Sequence, residues 1–391
     1  MPFISSTDGD LKTAFVTNAW LIDQFVGNRL YLWGYNAYGQ LADNTVVNKS
    51  SPIQSASGGV NWKQVAGGYY SSYGVKTDGT LWCWGYNLYG QLGNNTTTSN
   101  SSPVQTITFA TNWTQVASNG QHAAGIKTDG TLWTWGYNLH GQLGDNTTTS
   151  RSSPVQTVTA GNNWSKVACG YWHTAGIKSD GTLWTWGYNA YGILGDNTIV
   201  KKSSPVQTIS GGTNWKSLAS NFYCNYAIKT DGTLWVWGYG YNGELGVNST
   251  AHISSPVQTI TRGTTWLQAS AFSYTAGAIK TDGTLWMWGT NSSGALGDNT
   301  TIHRSSPVQT ITFGTNWKQI GCGGSSFSDG ITTGAIKTDG TLWLWGCGTS
   351  GQLGDNTAVS KSSPVQTTLG GTNWKQVAGA RLPMMAITYG D

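Results

Sequence analysis

The stretch KTDGTLWTWGYNLHGQLGDNTTTSRSSPVQT, residues 127–157, decides the fold, because near-copies of it recur along the chain. Three markers count the copies. The Trp of a Trp-Gly pair falls at Trp33, Trp84, Trp135, Trp186, Trp237, Trp288 and Trp345, 51 residues apart five times and then 57. The Trp of an NWKQVA-like segment falls at Trp62, Trp113, Trp164, Trp215, Trp266, Trp317 and Trp374. The Pro of SSPVQT falls at Pro52, Pro103, Pro154, Pro205, Pro256, Pro307 and Pro364. Seven copies of one period override any domain count drawn from a length of 391 residues.

Within the second period four segments read as strands: residues 63–66, 73–76, 80–84 and 103–106. Asp78-Gly79 between the second and third is a tight hairpin signal. In Leu81-Trp82-Cys83-Trp84 the period-2 rule sends both tryptophans to one face. The Cys83 position becomes Thr134, Thr185, Val236, Met287 and Leu344 in other copies while the tryptophans hardly vary, as a blade stacked on a neighbour requires. Leu92-Gly93-Asn94-Asn95-Thr96 reads as a loop whose Asn bonds its own backbone.

Four short strands per repeat, seven repeats and no covering helix point to an all-β, seven-bladed β-propeller. A linear solenoid would carry atypical polar caps instead. The last copy stops at Gly390-Asp391, in the Asp-Gly turn, and the first resumes at Gly27-Asn28 with Arg29-Leu30-Tyr31-Leu32-Trp33-Gly34. The ends are complementary halves of one unit, so a blade with two strands from each end should close the ring and remove its edges. The propeller is expected over residues 27–391. Residues 1–26 form an extension with apolar segments at 14–17 and 20–22, expected as an anchoring arm for a partner subunit, or else as an edge cover on the propeller.

The composition agrees with an all-β chain: 54 Gly, 22 Trp and 18 Tyr, 10% charged residues and a single glutamate, Glu244. Net charge is +4, with no basic run longer than Lys201-Lys202, too thin for tracking phosphates. Five cysteines, an odd number without metal-type spacing, argue against disulfide or zinc frameworks. The first residues show neither the basic nor the apolar region of a signal peptide, and no apolar run could span a bilayer. The many Asn-X-Thr tripeptides, such as Asn95-Thr96-Thr97, favour a cytosolic, bacterial or viral origin over a eukaryotic secretory one.

Residues 168–174 (ACGYWHT), 179–189 (SDGTLWTWGYN) and 192–196 (GILGD) follow one repeat pattern almost position for position. The chain from 27 to 391 thereby resembles the regulator-of-chromosome-condensation repeat family of seven-bladed propellers. That resemblance implies the fold but not one task, since members include a nucleotide exchange factor for a small GTPase, ubiquitin-ligase modules and a secreted bacterial β-lactamase inhibitor. The exchange factors bring acidic loop residues to the GTPase and a basic tail to DNA, and this chain has neither pattern. Its short, near-uniform repeats are similar to those of bacterial surface proteins and structural proteins of tailed phages.

Catalytic chemistry finds little footing. His122 and His173 fall where the family repeat has its histidine, with no recurring carboxylate beside them, and read as structural. His140, His252 and His303 sit at loop positions that other copies fill differently. The aspartates of LGDN (Asp43, Asp145, Asp196, Asp298, Asp355) occur one per loop, which suits an Asx turn rather than calcium. No cofactor and no metal are expected.

Comparing the copies is more informative. The window between the NWKQVA and AIK strands changes almost every time: Tyr69, Tyr70 and Tyr73, then His122, Tyr171-Trp172, Phe222-Tyr223 with Tyr226, Phe272 with Tyr274, and a longer insert holding Phe327. Equivalent windows must gather at one end of the ring, where the rings either fill the channel or form a protein-binding face. A second variable window runs through Ala37-Tyr38, Leu88-Tyr89, Leu139-His140, Ala190-Tyr191 and Tyr241-Asn242. The expected function is a non-catalytic binding or structural module: a phage virion or surface-assembly protein with host-recognition duty. A soluble propeller-face inhibitor or adaptor in the cytoplasm is the alternative, and an exchange factor ranks last.

Overall fold

The computed structural model describes residues 27–390 apart from 57–58, 159–160, 262, 312–313 and 326–329, so the extension 1–26 and Phe327 lie outside the described residues. Among the described residues, 28 strands form seven separate four-stranded antiparallel sheets. Blade 1 contains Trp62–Gly67, Ser71–Lys76, Leu81–Gly85 and Asn100–Gln105, paired in that order and here termed strands a to d. Blades 2 to 6 repeat this pattern from Trp113, Trp164, Trp215, Trp266 and Trp317.

Blade 7 is built from both ends. Its a and b strands are Trp374–Gly379 and Pro383–Thr388, and its c and d strands are Leu30–Gly34 and Lys49–Gln54. The join is an unbroken antiparallel ladder from Leu30 opposite Ile387 to Gly34 opposite Pro383. The expected propeller and its two-ended closure are both present.

The repeated residues explain themselves by what they bond in the next blade. The indole N–H of Trp84 donates 2.7 Å to the Gln40 carbonyl of the preceding blade, and Trp135 does the same to Gln91 at 2.8 Å. Trp33 completes the circle by donating to Gln352 at 2.7 Å. Both Trp62 and Trp84 pack on Leu30, Leu32 and Met385 of blade 7, their rings edge to face at 5.9 Å. Trp164 lies so close over strand b that a Cβ on Gly176 would fall 2.7 Å from its ring, so a larger residue there would have to displace the indole, as the alanine at the same place in blade 4, Ala227, does beside Trp215.

Along the channel, glutamines of strand a staple neighbouring blades. Gln64 Nε2 donates to the Val116 carbonyl at 2.9 Å, and the Val116 N–H donates back to Gln64 Oε1 at 3.0 Å. Gln319 with Val377 and Gln376 with Val65 make the same reciprocal pair. Lys166 and Ser217 hold the equivalent positions in blades 3 and 4 and make no such staple. At the perimeter, Asn44, Asn95 and Asn146 adopt left-handed backbone, φ 60–61°, and donate their N–H groups to a serine carbonyl in strand d of the next blade.

Candidate functional site: an aromatic crescent on one face

The loops between strands a and b and between c and d emerge on the same side of the ring. The c–d loop is shaped by the buried Asn of GYN. Asn36 Nδ2 donates 3.0 Å to Asp43 Oδ1, while its Oδ1 accepts the Leu41 N–H at 2.8 Å. The Asp43 carboxylate also accepts from the N–H and hydroxyl of Thr45, the Asx turn expected for LGDN. Burial works against its ionisation, yet these hydrogen bonds and Lys49 hold its pKa below the usual carboxylate value. The a–b loops are tied to each other around the channel: Tyr69 N–H donates to Gly120, Tyr171 to Phe222, and Arg381 to Gly68.

These loops sort the candidate residues into two layers. The inner layer closes the channel. Tyr69 of blade 1 meets Tyr171 of blade 3 at 5.1 Å, and Tyr171 meets Phe222 of blade 4 at 4.7 Å. Phe222 and Phe272 are buried, 5.8 Å apart. Below them the inner strands line a cavity of about 230 Å³. Tyr73, His122 and Tyr226 are wholly enclosed within the blades and support the face from beneath.

The outer layer is the surface. Tyr70, Trp172 and Tyr223 are half-buried, and Tyr274 nearly enclosed. They mesh with the second variable window and with the tyrosines of GYN. Tyr38 touches Tyr70 at 4.7 Å and Tyr86 at 5.0 Å. His140 touches Trp172 at 4.8 Å and Tyr188 at 5.0 Å. Tyr191 reaches Tyr239 at 4.9 Å, and Tyr239 reaches Tyr274 at 5.8 Å. The result is a crescent from blade 7 to blade 5, ending where Thr290 and Cys347 replace the GYN tyrosine. Phe327 lies outside the described residues.

The crescent is electrically quiet. Burial and neighbouring phenols push Tyr70 up to about 12 even against Arg381, and raise Tyr171, Tyr223 and Tyr274 further. The phenols therefore stay neutral. The Arg381 guanidinium lies over the rings of Tyr69 and Tyr70, at 4.2 and 4.7 Å from their centroids.

Sequence reasoning missed Tyr35, Tyr86, Tyr137, Tyr188 and Tyr239, since a tyrosine repeated in register reads as scaffold. Their replacement at Thr290 and Cys347 was the available signal.

The histidines of strand b are structural in their surroundings. His122 Nε2 pairs with Thr174 Oγ1 at 2.8 Å and His173 Nε2 with Asn225 Oδ1 at 3.1 Å, each across to the next blade. The five cysteines are buried, free thiols. Among the described residues no group of three or more His, Cys, Asp or Glu is placed to hold a metal ion. Among them, too, no helix is long and apolar enough to cross a membrane.

Comparison with known proteins follows the same outline. Residues 103–390 match the RCC1-like domain, and 28–75 and 78–126 match the regulator of chromosome condensation (RCC1) repeat. The chain is 30% identical over 295 residues to the ultraviolet-B receptor UVR8 of Arabidopsis thaliana, covering 72% of this chain and 65% of that protein. It is 27% identical over 361 residues to the E3 ubiquitin-protein ligase HERC2 of Homo sapiens, covering 88% of this chain but 7% of that one. It thus spans less than two thirds of either relative. Human WBSCR16 superposes with a TM-score of 0.79 at 21% identity, over 93% of this chain and 99% of that one. Prp20p of Saccharomyces cerevisiae, whose structure is described with its binding to Gsp1p and histones, superposes at 0.81 and 16%, over 100% and 96%. Those two likenesses concern the fold. With the matched domain covering most of the ring, this chain belongs to the family of RCC1-like seven-bladed propellers.

Proposed function

We propose that the chain is a non-catalytic binding module that presents the aromatic crescent to a protein partner as a subunit of a phage virion or other surface assembly. The crescent carries this reading. A dozen neutral rings held half-exposed on a rigid closed ring give large contact area at little entropic cost, which is how recognition surfaces gain affinity. The assembly part rests on the charge-poor composition, 10% charged residues, because a surface hydrated by amides and hydroxyls responds little to salt or pH. A soluble inhibitor or adaptor would use the same face; binding to Gsp1p and histones is a property of Prp20p, whose likeness at 16% identity carries fold alone.

Particle association tests it. The wild-type chain should co-sediment with particles or filaments, and the triple variant Tyr70→Ala, Trp172→Ala, Tyr223→Ala should stay in the supernatant with its melting temperature within a few degrees. Wild type recovered only free of particles would refute the assembly reading. A triple variant that fails to fold would show these rings to be core. Removing residues 1–26 separates an anchoring arm from the face: an arm is needed for particle association, whereas a face binder is indifferent to its loss.

A further inference from the structure

We propose that a cleft at the crescent's end, where the loops of blades 4 and 5 meet, binds a neutral saccharide, with Tyr241 as stacking platform and His303 as hydrogen-bond donor. The proposal rests on the binding-module reading and gives one part of that face its ligand chemistry. Two cavities of about 440 and 510 Å³ adjoin here, sharing Tyr241, Asn242 and His303. Both fall within the roughly 300–1,000 Å³ typical of small-ligand sites.

Three residues depart from the repeat at this spot. Tyr241 stands where other copies have Ala37, Leu88, Leu139 or Ala190, and the residue is 69% exposed, its ring beside that of Tyr239. His303 takes a position that Ser99, Ser150 and Ser360 fill in other blades and that His252 fills in blade 4. There each serine hydroxyl accepts one backbone N–H of the GYN segment or its counterpart. His303 performs that duty with Nδ1, accepting the Asn291 N–H at 2.8 Å. An imidazole bonded in this way carries its proton on Nε2, so a donor is fixed in place at the cleft. Asn242 is held by its own N–H and Nδ2 on the Glu244 carboxylate, at 2.7 and 3.3 Å, which leaves its Oδ1 as an acceptor.

The lining selects among ligands. No charged side chain borders either cavity, so phosphates and acidic peptides find no counter-charge. Thr290 and Ser292 beside Tyr239 make the walls too polar for a lipid tail. A pyranose offers what remains: a C–H face for the electron-rich face of Tyr241, and hydroxyls that both donate and accept toward Asn242, Ser292 and His303.

The test uses the full chain, saturation-transfer difference NMR with methyl glycosides of glucose, galactose and N-acetylglucosamine, and an array of neutral and sialylated glycans. Neutral glycans should be retained, with the strongest transfer to protons on one ring face. Tyr241→Ala and His303→Ser should each weaken binding about tenfold, ~1.4 kcal/mol. His303→Ser keeps the backbone acceptor seen at Ser99, so its fold is protected, and Leu139→Ala at the same loop position of blade 2 should change nothing. Retention of no neutral glycan, preference for sialylated ones, or binding indifferent to both variants would overturn the proposal. Particle association lost in the Tyr70, Trp172, Tyr223 variant with glycan binding intact would leave both readings standing, whereas failure on the glycan array alone leaves the module reading untouched.

Discussion

His122 shows how little a motif residue's chemistry matters once its surroundings are known. The Thr174 hydroxyl donates to the Gln142 carbonyl, so it accepts from His122 Nε2–H, and Nδ1 is left in the interior without a partner. Protonation would bury an unsatisfied N–H⁺. Burial therefore lowers His122 to about 3 and His173 to about 4, against 6.5 when unfolded. Because the unfolded chain takes up these protons first, the stability they contribute is intact above pH 6.5 and declines as pH falls toward 4. Each histidine accounts for a slope of ~1.4 kcal/mol per pH unit. Thermal melts between pH 4 and 7 should show this slope in wild type and lose most of it in His122→Gln, His173→Gln. Glu244 has the opposite sign. It occupies the site of Gln40, Gln91 and Gln142, and burial raises it from 4.5 to about 7, so its contribution is intact below pH 4.5 and lost as pH rises through 7. Glu244→Gln should change melting little at pH 5 and stabilise the fold at pH 9 by about 3 kcal/mol.

At the level of single elements, strands b and c were legible because Asp-Gly and the Leu-Trp-x-Trp alternation speak for themselves. The inner strand hid its main device. Gln64 reads as a polar residue between Lys63 and Val65, and nothing local says that it spans two blades. The aromatic windows were undecidable for a different reason: a ring at the channel and a ring at the surface leave the same letter. Only position relative to the axis assigns Tyr171 to the plug and Trp172 to the crescent. The glutamine staple carries its own prediction. Gln376→Ala removes two inter-blade hydrogen bonds, so urea unfolding should show a loss of about 2 kcal/mol. Lys166→Gln supplies a missing staple between blades 3 and 4 and should gain about 1 kcal/mol. A gain there with no change in the slope against urea would locate the effect in the native state.

For the whole molecule, the KTDGTLWTWG repeat acquires its meaning from closure. Every inter-blade bond it makes needs a blade on the far side, so the seventh interface must be as complete as the rest. It is: between blades 7 and 1, Trp84 donates to Gln40, Gln376 staples to Val65, and Asn44 donates to Ser101. The cut lies in the blade 7 turn that elsewhere reads Asp-Gly, where Gly390 N–H reaches Asn28 Oδ1 at 3.2 Å and a Cβ on Gly390 would fall 2.5 Å from Gly27 N. The position of the cut is then arbitrary. A circular permutant that joins residue 390 to residue 27 and opens between Gly130 and Thr131 in the blade 2 hairpin should fold to the same ring and melt within a few degrees of residues 27–390. Deleting residues 27–54 is different in kind, because it strips strands c and d from blade 7, with Trp33 and Ser50, and exposes a two-stranded edge. That chain should lose roughly 10 °C or more of melting temperature and its single cooperative transition. If it instead unfolded like the intact ring, the blades would be stable as an open array, and closure would be a consequence of the fold rather than a condition for it.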